Sequence, residues 1–406
     1  MLPEAGRYSD GARRAALAVL AGLVLAVLVT PGCYLVHVSV GQLELNAARE
    51  PIGEVVARPG TPESLRERLD YVSRARRFAS AALALPDNGS FTGYVELDRP
   101  YVAWNVFAAP EFGTEPRTWC FPVAGCVSYR GYFEEGKARD YAQGLRRDGF
   151  DVYVAPVAAY STLGHFDDPV LSTMLAYGDV ELAALIFHEL AHQVVYVQDD
   201  SAFNEAFATT VELEGVRRWL ESLGREGELA AFRQARQRVL AVATLMAATR
   251  QRLAGVYASG LPPEGMRQAK AQEFERLRAD YAALRSGWQD GANLDRMMEA
   301  ELNNARLVAV STYEECVPGF TRLLLGVDGD LPAFYRAVKR LSEEPVEART
   351  QRLCEPASAP GAAAEQGVAT AAALQPEVAG DDRLHRLGLD SQPREAVHRA
   401  DAVHAE

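Results

Sequence analysis

Apolar positions recur along the chain with two different periods. From Thr61 the period is helical: Leu65, Leu69, Val72, Phe78 and Leu83 return to one face, and Thr61-Pro62-Glu63 offers an N-cap with proline in the first turn. Residues 92–132 lose that period. Tyr101-Val102-Ala103-Trp104-Asn105-Val106-Phe107 and Cys126-Val127-Ser128-Tyr129 are aromatic and β-branched, with glycine and proline between them, as strands are. A helix from about Glu134 to Arg147 then turns through Asp148-Gly149 into Val152-Tyr153-Val154-Ala155-Pro156, which predicts a small mixed sheet with a helix on it. From Val180 to about Leu341 the helical period is continuous. It gives one helix near 182–197, a second near 202–220, and a long hairpin over 228–257 and 264–286 broken at Ser259-Gly260-Leu261-Pro262-Pro263. The hairpin's many Arg, Glu and Gln residues make either a solvated face or a partner-binding surface. The expected class is α+β, predominantly α.

The two ends differ from this body. Arg13 and Arg14 precede an uninterrupted apolar run from Ala15 to Val29, followed by Thr30-Pro31-Gly32-Cys33. Fifteen helical residues rise roughly 22 Å, short of a ~30 Å hydrocarbon core, so the pattern fits a signal-peptide core better than a membrane span. The Gly-Cys ending resembles a bacterial lipoprotein signal with Cys33 as the acylated residue; an uncleaved N-terminal anchor is the alternative. Either places the body outside the cytoplasm, held at a membrane of the cell envelope. After Glu355 the composition shifts to Ala, Pro, Gly and Gln without a sustained apolar period, the mark of a disordered tail. The expected division is therefore 1–33 as targeting segment, 34–354 as folded body and 355–406 as tail. Within the body, 34–178 is an α/β part and 179–354 a helical part.

Composition narrows the function. The 406 residues are 48% hydrophobic, enough for a substantial core, and 55 acidic against 42 basic side chains leave a formal charge of −13. An acidic chain lacks the basic face that nucleic-acid binding requires, so no nucleic-acid partner is expected. In an exported protein Cys120 and Cys126 could close a short loop as a disulfide, or remain two buried thiols on adjacent strands. No CxxC pair exists, which argues against a cysteine zinc site.

The segment that carries chemistry is Leu185-Ile186-Phe187-His188-Glu189-Leu190-Ala191-His192-Gln193. Four residues apart on a helix, His188 and His192 project from one face and can grip one metal ion. Glu189 lies about 100° round the same turn, suited to touch a water on the metal rather than the metal. With Zn2+ as cofactor, such a carboxylate takes the water's proton as it attacks a carbonyl. A catalytic zinc needs a third protein ligand and one open position. Thirteen residues after His192, Phe203-Asn204-Glu205-Ala206-Phe207-Ala208 begins the second helix, with Asp199, Asp200 and Ser201 as its N-cap region.

In these residues the sequence resembles the gluzincin metallopeptidases, thermolysin among them, whose second metal-site helix carries N-E-x-x-A. The resemblance implies Glu205 as third ligand, Asn204 as a group orienting a ligand histidine, and a gluzincin-like fold. It departs in spacing, since those families place the acid farther along; Glu212 sits at the thermolysin-like distance and shares a helix face with Glu205. Glu212 is then an alternative ligand, a carboxylate near the metal site that does not bind the metal itself, or an ordinary surface group. Gly41-Gln42-Leu43-Glu44-Leu45, Thr118 to Cys126, Tyr129-Arg130-Gly131-Tyr132-Phe133 and Phe166-Asp167-Asp168-Pro169, together with the HELAH helix, further resemble a bacterial family of envelope lipoproteins called "putative aminopeptidase". That resemblance implies a zinc peptidase acting on peptide or protein substrates, the activity in the name being inferred from the zinc motif itself. For the donor that stabilises the oxyanion, Tyr313 is the first candidate, with Tyr160 and His165 as alternatives. Rival readings are a non-enzymatic envelope module that binds another protein through the hairpin, and hydrolysis of a non-peptide amide of the cell wall.

Overall fold

A computed structural model describes residues 32–121, 125–289, 291–311 and 316–354, with the backbone alone at 32, 33 and 311. The N-terminal apolar run read above as a targeting segment, the Cys33 side chain, Tyr313 and the segment after 354 lie outside the described residues. Helix α1 (Gly32–Ala48) leads into the short strand β1 (Glu50–Pro51), then α2 (Ile52–Ala57) and α3 (Glu63–Leu83). The expected Thr61 cap is not used. Pro62 holds the N-cap position of α3, and the Thr61 hydroxyl donates instead to the Val55 carbonyl at 2.7 Å.

The strands follow as β2 (Gly93–Val95), β3 (Ala103–Pro110), β4 (Trp119–Phe121), β5 (Gly125–Val127) and β6 (Arg130–Tyr132). Helix α4 (Glu135–Arg147), strand β7 (Phe150–Val157) and strand β8 (Val170–Leu171) complete this half. The expected single mixed sheet is divided. β6-β3-β7 is wholly antiparallel, Asn105 pairing with Gly131 on one side and Ala155 on the other. The parallel pairing belongs to a second sheet, β1-β2-β8. β4 and β5 form a separate hairpin closed by a disulfide between Cys120 and Cys126.

Eight residues after β8, the chain becomes helical to its described end. α5 (Asp179–His192), α6 (Ser201–Ser222), α7 (Glu226–Tyr257) and α8 (Pro263–Arg285) are followed by α9 (Ala292–Glu299) and α10 (Asn304–Ser311). α11 (Val317–Leu325), α12 (Leu331–Ser342) and α13 (Val346–Leu353) finish the body. The molecule is thus mainly helical with small sheets, as the periodicity predicts. α5 ends at His192, five residues short of the expected 197, because Asn204 captures both polar groups of the Val197 backbone at 2.7 Å and turns the chain away.

Alternation along β3 explains how the antiparallel sheet packs. Trp104, Val106 and Ala108 face Ala138, Ala142 and Leu145 of α4, while Phe107 faces Ala305 and Ala309 of α10. That sheet therefore lies between α4 and α10, not on the helix of the histidine motif. The mixed sheet is the one that shares a core with that helix: Tyr94, Val95, Val170 and Leu171 belong to the same apolar cluster as Leu182, Ile186, Phe187 and Leu190. α5 and α6 meet closely because Gly215 presents no side chain; a Cβ there would come within 2.8 Å of the Phe187 ring. The hairpin α7–α8 encloses its own apolar seam of Val242, Met246, Leu253, Phe274 and Leu277. Its polar side is tied to the sheet by Lys270–Asp151 and Arg267–Glu111 ion pairs, both at 2.6 Å.

Candidate metal centre

The central helix α5 is apolar almost all round, so burial alone fixes its position; Leu182, Ile186, Phe187 and Leu190 are fully enclosed. His188 and His192 lie on the side turned to α6, both buried, and Glu189 one residue on is only partly so. α6 starts where Asp200 accepts from the Phe203 N–H at 3.1 Å. Arg349 of α13 clamps the other Asp200 oxygen at 2.6 Å, and Cys354 beyond α13 is disulfide-bonded to Cys316 before α11. The start of α6 is thereby capped and tied to α13, and Glu205 sits one turn inside it.

Three ligand-type atoms converge there. His188 Nε2 lies 3.1 Å from His192 Nε2, the rings nearly perpendicular, and 3.3 Å from Glu205 Oε2. His192 Nε2 is 3.7 Å from Glu205 Oε1, and the whole set falls within 4.8 Å. A tetrahedral zinc with ~2.0–2.1 Å bonds spans about 3.3 Å between neighbouring ligand atoms, close to the His188–His192 and His188–Glu205 separations, while 3.7 Å is the nearest approach of the Glu205 carboxylate to His192. Two imidazole nitrogens facing each other, beside a buried Glu205 Oε2 that no donor satisfies, is an arrangement a cation explains. The three residues form a group that could hold a metal ion. The shorter spacing between His192 and Glu205 does not prevent convergence, because the intervening loop is pinned by Asn204 and by the Cys126 N–H, which donates to Asp199 Oδ1 at 2.6 Å.

Behind His188 stands a second acid. Glu212 Oε2 accepts from His188 Nδ1 at 3.0 Å, which fixes the tautomer that leaves Nε2 free to bind. Glu212 is 1% exposed, so it is not a surface group, and it is not among the three residues whose ligand atoms converge. Its other oxygen lies 3.0 Å from Nη2 of Arg236, a buried arginine of the hairpin helix α7. Asn204 does not orient a histidine as its motif position implies; both ends of its amide are spent on Val197. Arg236 is a residue that sequence reasoning missed. The signal was present: Phe232, Arg236, Val242, Ala243, Met246 and Leu253 share the buried side of α7, so the arginine occupies a core position of the apolar period.

The electrostatics match this layout. Burial works against a charge on His188, but the carboxylates of Glu205 and Glu212 outweigh it and favour a cation there, proton or metal alike. His192, with burial dominant, is pushed down to about 4. Burial lifts Glu189 to about 7 despite His188. Two carboxylates facing two imidazoles make a site that favours a cation.

Around Glu189 and Glu205 stands a group of tyrosines. Tyr129, from the turn between β5 and β6, has its phenol raised by burial and by the carboxylates of Glu205 and Glu189, with Tyr160 and Tyr196 beside it. The Tyr129 hydroxyl makes no hydrogen bond with a described residue. Tyr160 packs edge-on against Phe133, and His165 is exposed on the loop beyond it. No curated protein and no solved structure matched the sequence. A family model described as "Putative aminopeptidase" matches residues 33–353, most of the chain, and the chain belongs to that family.

Proposed function

We propose that the protein is a zinc-dependent peptidase held at a bacterial envelope membrane, hydrolysing peptide bonds with a water activated in the α5–α6 site. The observation that carries this reading is the triangle of His188 Nε2, His192 Nε2 and a Glu205 carboxylate at 3.1, 3.3 and 3.7 Å. The donor set, two imidazoles and one carboxylate without sulfur, is that of catalytic rather than structural zinc and leaves a coordination position for solvent. Bound there, zinc supplies Lewis acidity toward a water and a carbonyl oxygen.

The rest is done by the chain. Glu189, partly open beside the ligands, takes the water's proton and returns it to the departing amine. Its affinity for a proton, raised by burial, suits both directions of that transfer. Glu212, itself paired to Arg236, holds the His188 ring at the angle and in the tautomer the site needs. Tyr129, whose hydroxyl makes no hydrogen bond with a described residue, joins Tyr313, which lies outside the described residues, as a candidate donor to the developing oxyanion.

The test is the Glu189→Gln variant of the full chain, assayed on a mixed peptide library. Zinc content should be unchanged and turnover should fall by at least about 10²-fold, the usual worth of a general base. Turnover equal to the parent at equal zinc content refutes the mechanism. Absence of cleavage by the parent, with cell-wall fragments hydrolysed instead, moves the activity to another amide.

A further inference from the structure

Among the described residues, nine large apolar side chains are exposed, and four of them lie on α1: Leu35, Val36, Val40 and Leu43. At 100° per residue, Val36, Val40 and Leu43 fall within one stripe, with Leu35 and Ser39 on one flank and Ala47 between them. The opposite side of α1 is firmly seated. Leu45 is buried in the main core, and Gly41 lies so close to Phe133 that a Cβ would come within 2.1 Å of that ring. His37 Nε2 accepts from the Phe133 N–H at 3.1 Å, and the Arg130 guanidinium lies 3.9 Å over the Tyr34 ring. The apolar stripe is thus turned outward by a rigid mount.

What covers it follows from the chain that enters it. The apolar run Ala15–Val29 ends three residues before Gly32, the first residue of α1. Three residues reach about 10 Å at most. If that run lies in a bilayer, or if Cys33 carries acyl chains, α1 begins at the lipid surface. A helix with an apolar stripe at that position lies in the interface plane. We propose that α1 is a membrane-lying helix, its Val36–Val40–Leu43 stripe sunk among lipid chains and the catalytic body fixed above it. This rests on the envelope-anchoring reading above. α1 carries no Lys or Arg, so its contact is apolar and indifferent to anionic headgroups.

The test is hydroxyl-radical footprinting of the full chain in nanodiscs of neutral phosphatidylcholine, at one chain per disc. Matched reference residues exist on the body: Leu325 is 59% exposed against 63% for Leu43, and Val346 47% against 46% for Val40. Leu43 and Val40 should oxidise at least about fivefold more slowly than Leu325 and Val346, equally in neutral and anionic discs, and photoactivatable phosphatidylcholine should label the 34–48 peptide. Oxidation equal to the reference residues in a chain that remains disc-bound overturns the proposal and leaves the anchor standing. Protection without lipid labelling assigns the stripe to another segment or a second copy, and also overturns it. A chain that does not associate with discs overturns the anchoring reading and this inference together, while the zinc chemistry is unaffected.

Discussion

At the scale of single residues, the site is a chain of contacts, Arg236 to Glu212 to His188 and on to the ligand triangle with His192 and Glu205. Each member has a distinct duty, and two variants separate them. Glu212→Gln keeps an acceptor for His188 Nδ1 but loses the charge, and should weaken zinc binding by about 10- to 100-fold in competition with a chromophoric chelator. Tyr129→Phe deletes a hydroxyl that makes no hydrogen bond with a described residue, so it should leave zinc affinity and KM unchanged and lower kcat by about 10²-fold. The reverse pattern, Tyr129→Phe losing zinc or Glu212→Gln retaining it, contradicts the assignment. Much of this was legible beforehand. The i, i+4 spacing of His188 and His192 dictates a shared face whatever surrounds it, and seven residues return Glu212 to the face of Glu205. Asn204 was misread because a motif gives its position but not its hydrogen-bond partners. Arg236 was hidden because composition marks α7 as polar, although its place in the apolar period was visible.

At the scale of elements, what the site needs is that α5 stop at His192 and that α6 begin at a fixed point. Hydrophobic period predicts both helices but not the stop, since Val194, Val195 and Val197 prolong the apolar pattern; side-chain capture of Val197 by Asn204 decides it. The division of the strands into two sheets was equally hidden, because partner choice depends on long-range packing that strand composition does not encode. The mount of α1 has a pH dependence of its own. Burial, and then Lys137, lower the His37 pKa from its ordinary 6.5, opposed by Glu134 and Glu44. A histidine whose folded value is depressed adds stability above its unfolded value and loses that contribution as pH falls through the folded one. Protonation also removes the acceptor used by the Phe133 N–H. Corrected hydrogen exchange of α1 amides should therefore accelerate as pH falls below the ordinary 6.5 while α3 amides hold steady, and His37→Gln should abolish the difference. Equal pH response in parent and variant contradicts the role given to His37.

At the scale of the whole molecule, three apolar units meet around one small polar centre: the main core on α3, α5 and α6, the antiparallel sheet between α4 and α10, and the hairpin seam. The hairpin is more than a solvated appendage, since it delivers Arg236 to the centre and braces the sheet through Lys270 and Arg267. One disulfide closes the β4–β5 hairpin, whose Cys126 N–H donates to Asp199 in the loop after His192, and the other ties the end of α13 to the start of α11. Both suit an oxidising compartment. This assembly brings two imidazoles and one carboxylate close together. X-ray absorption at the zinc edge, on the zinc-loaded full chain and its Glu205→Gln variant, tests that convergence most directly. The parent should show nitrogen and oxygen neighbours at about 2.0–2.1 Å with two imidazoles and no sulfur, and the variant should lose an oxygen from that shell. Sulfur at about 2.3 Å, or an identical shell in parent and variant, would contradict it.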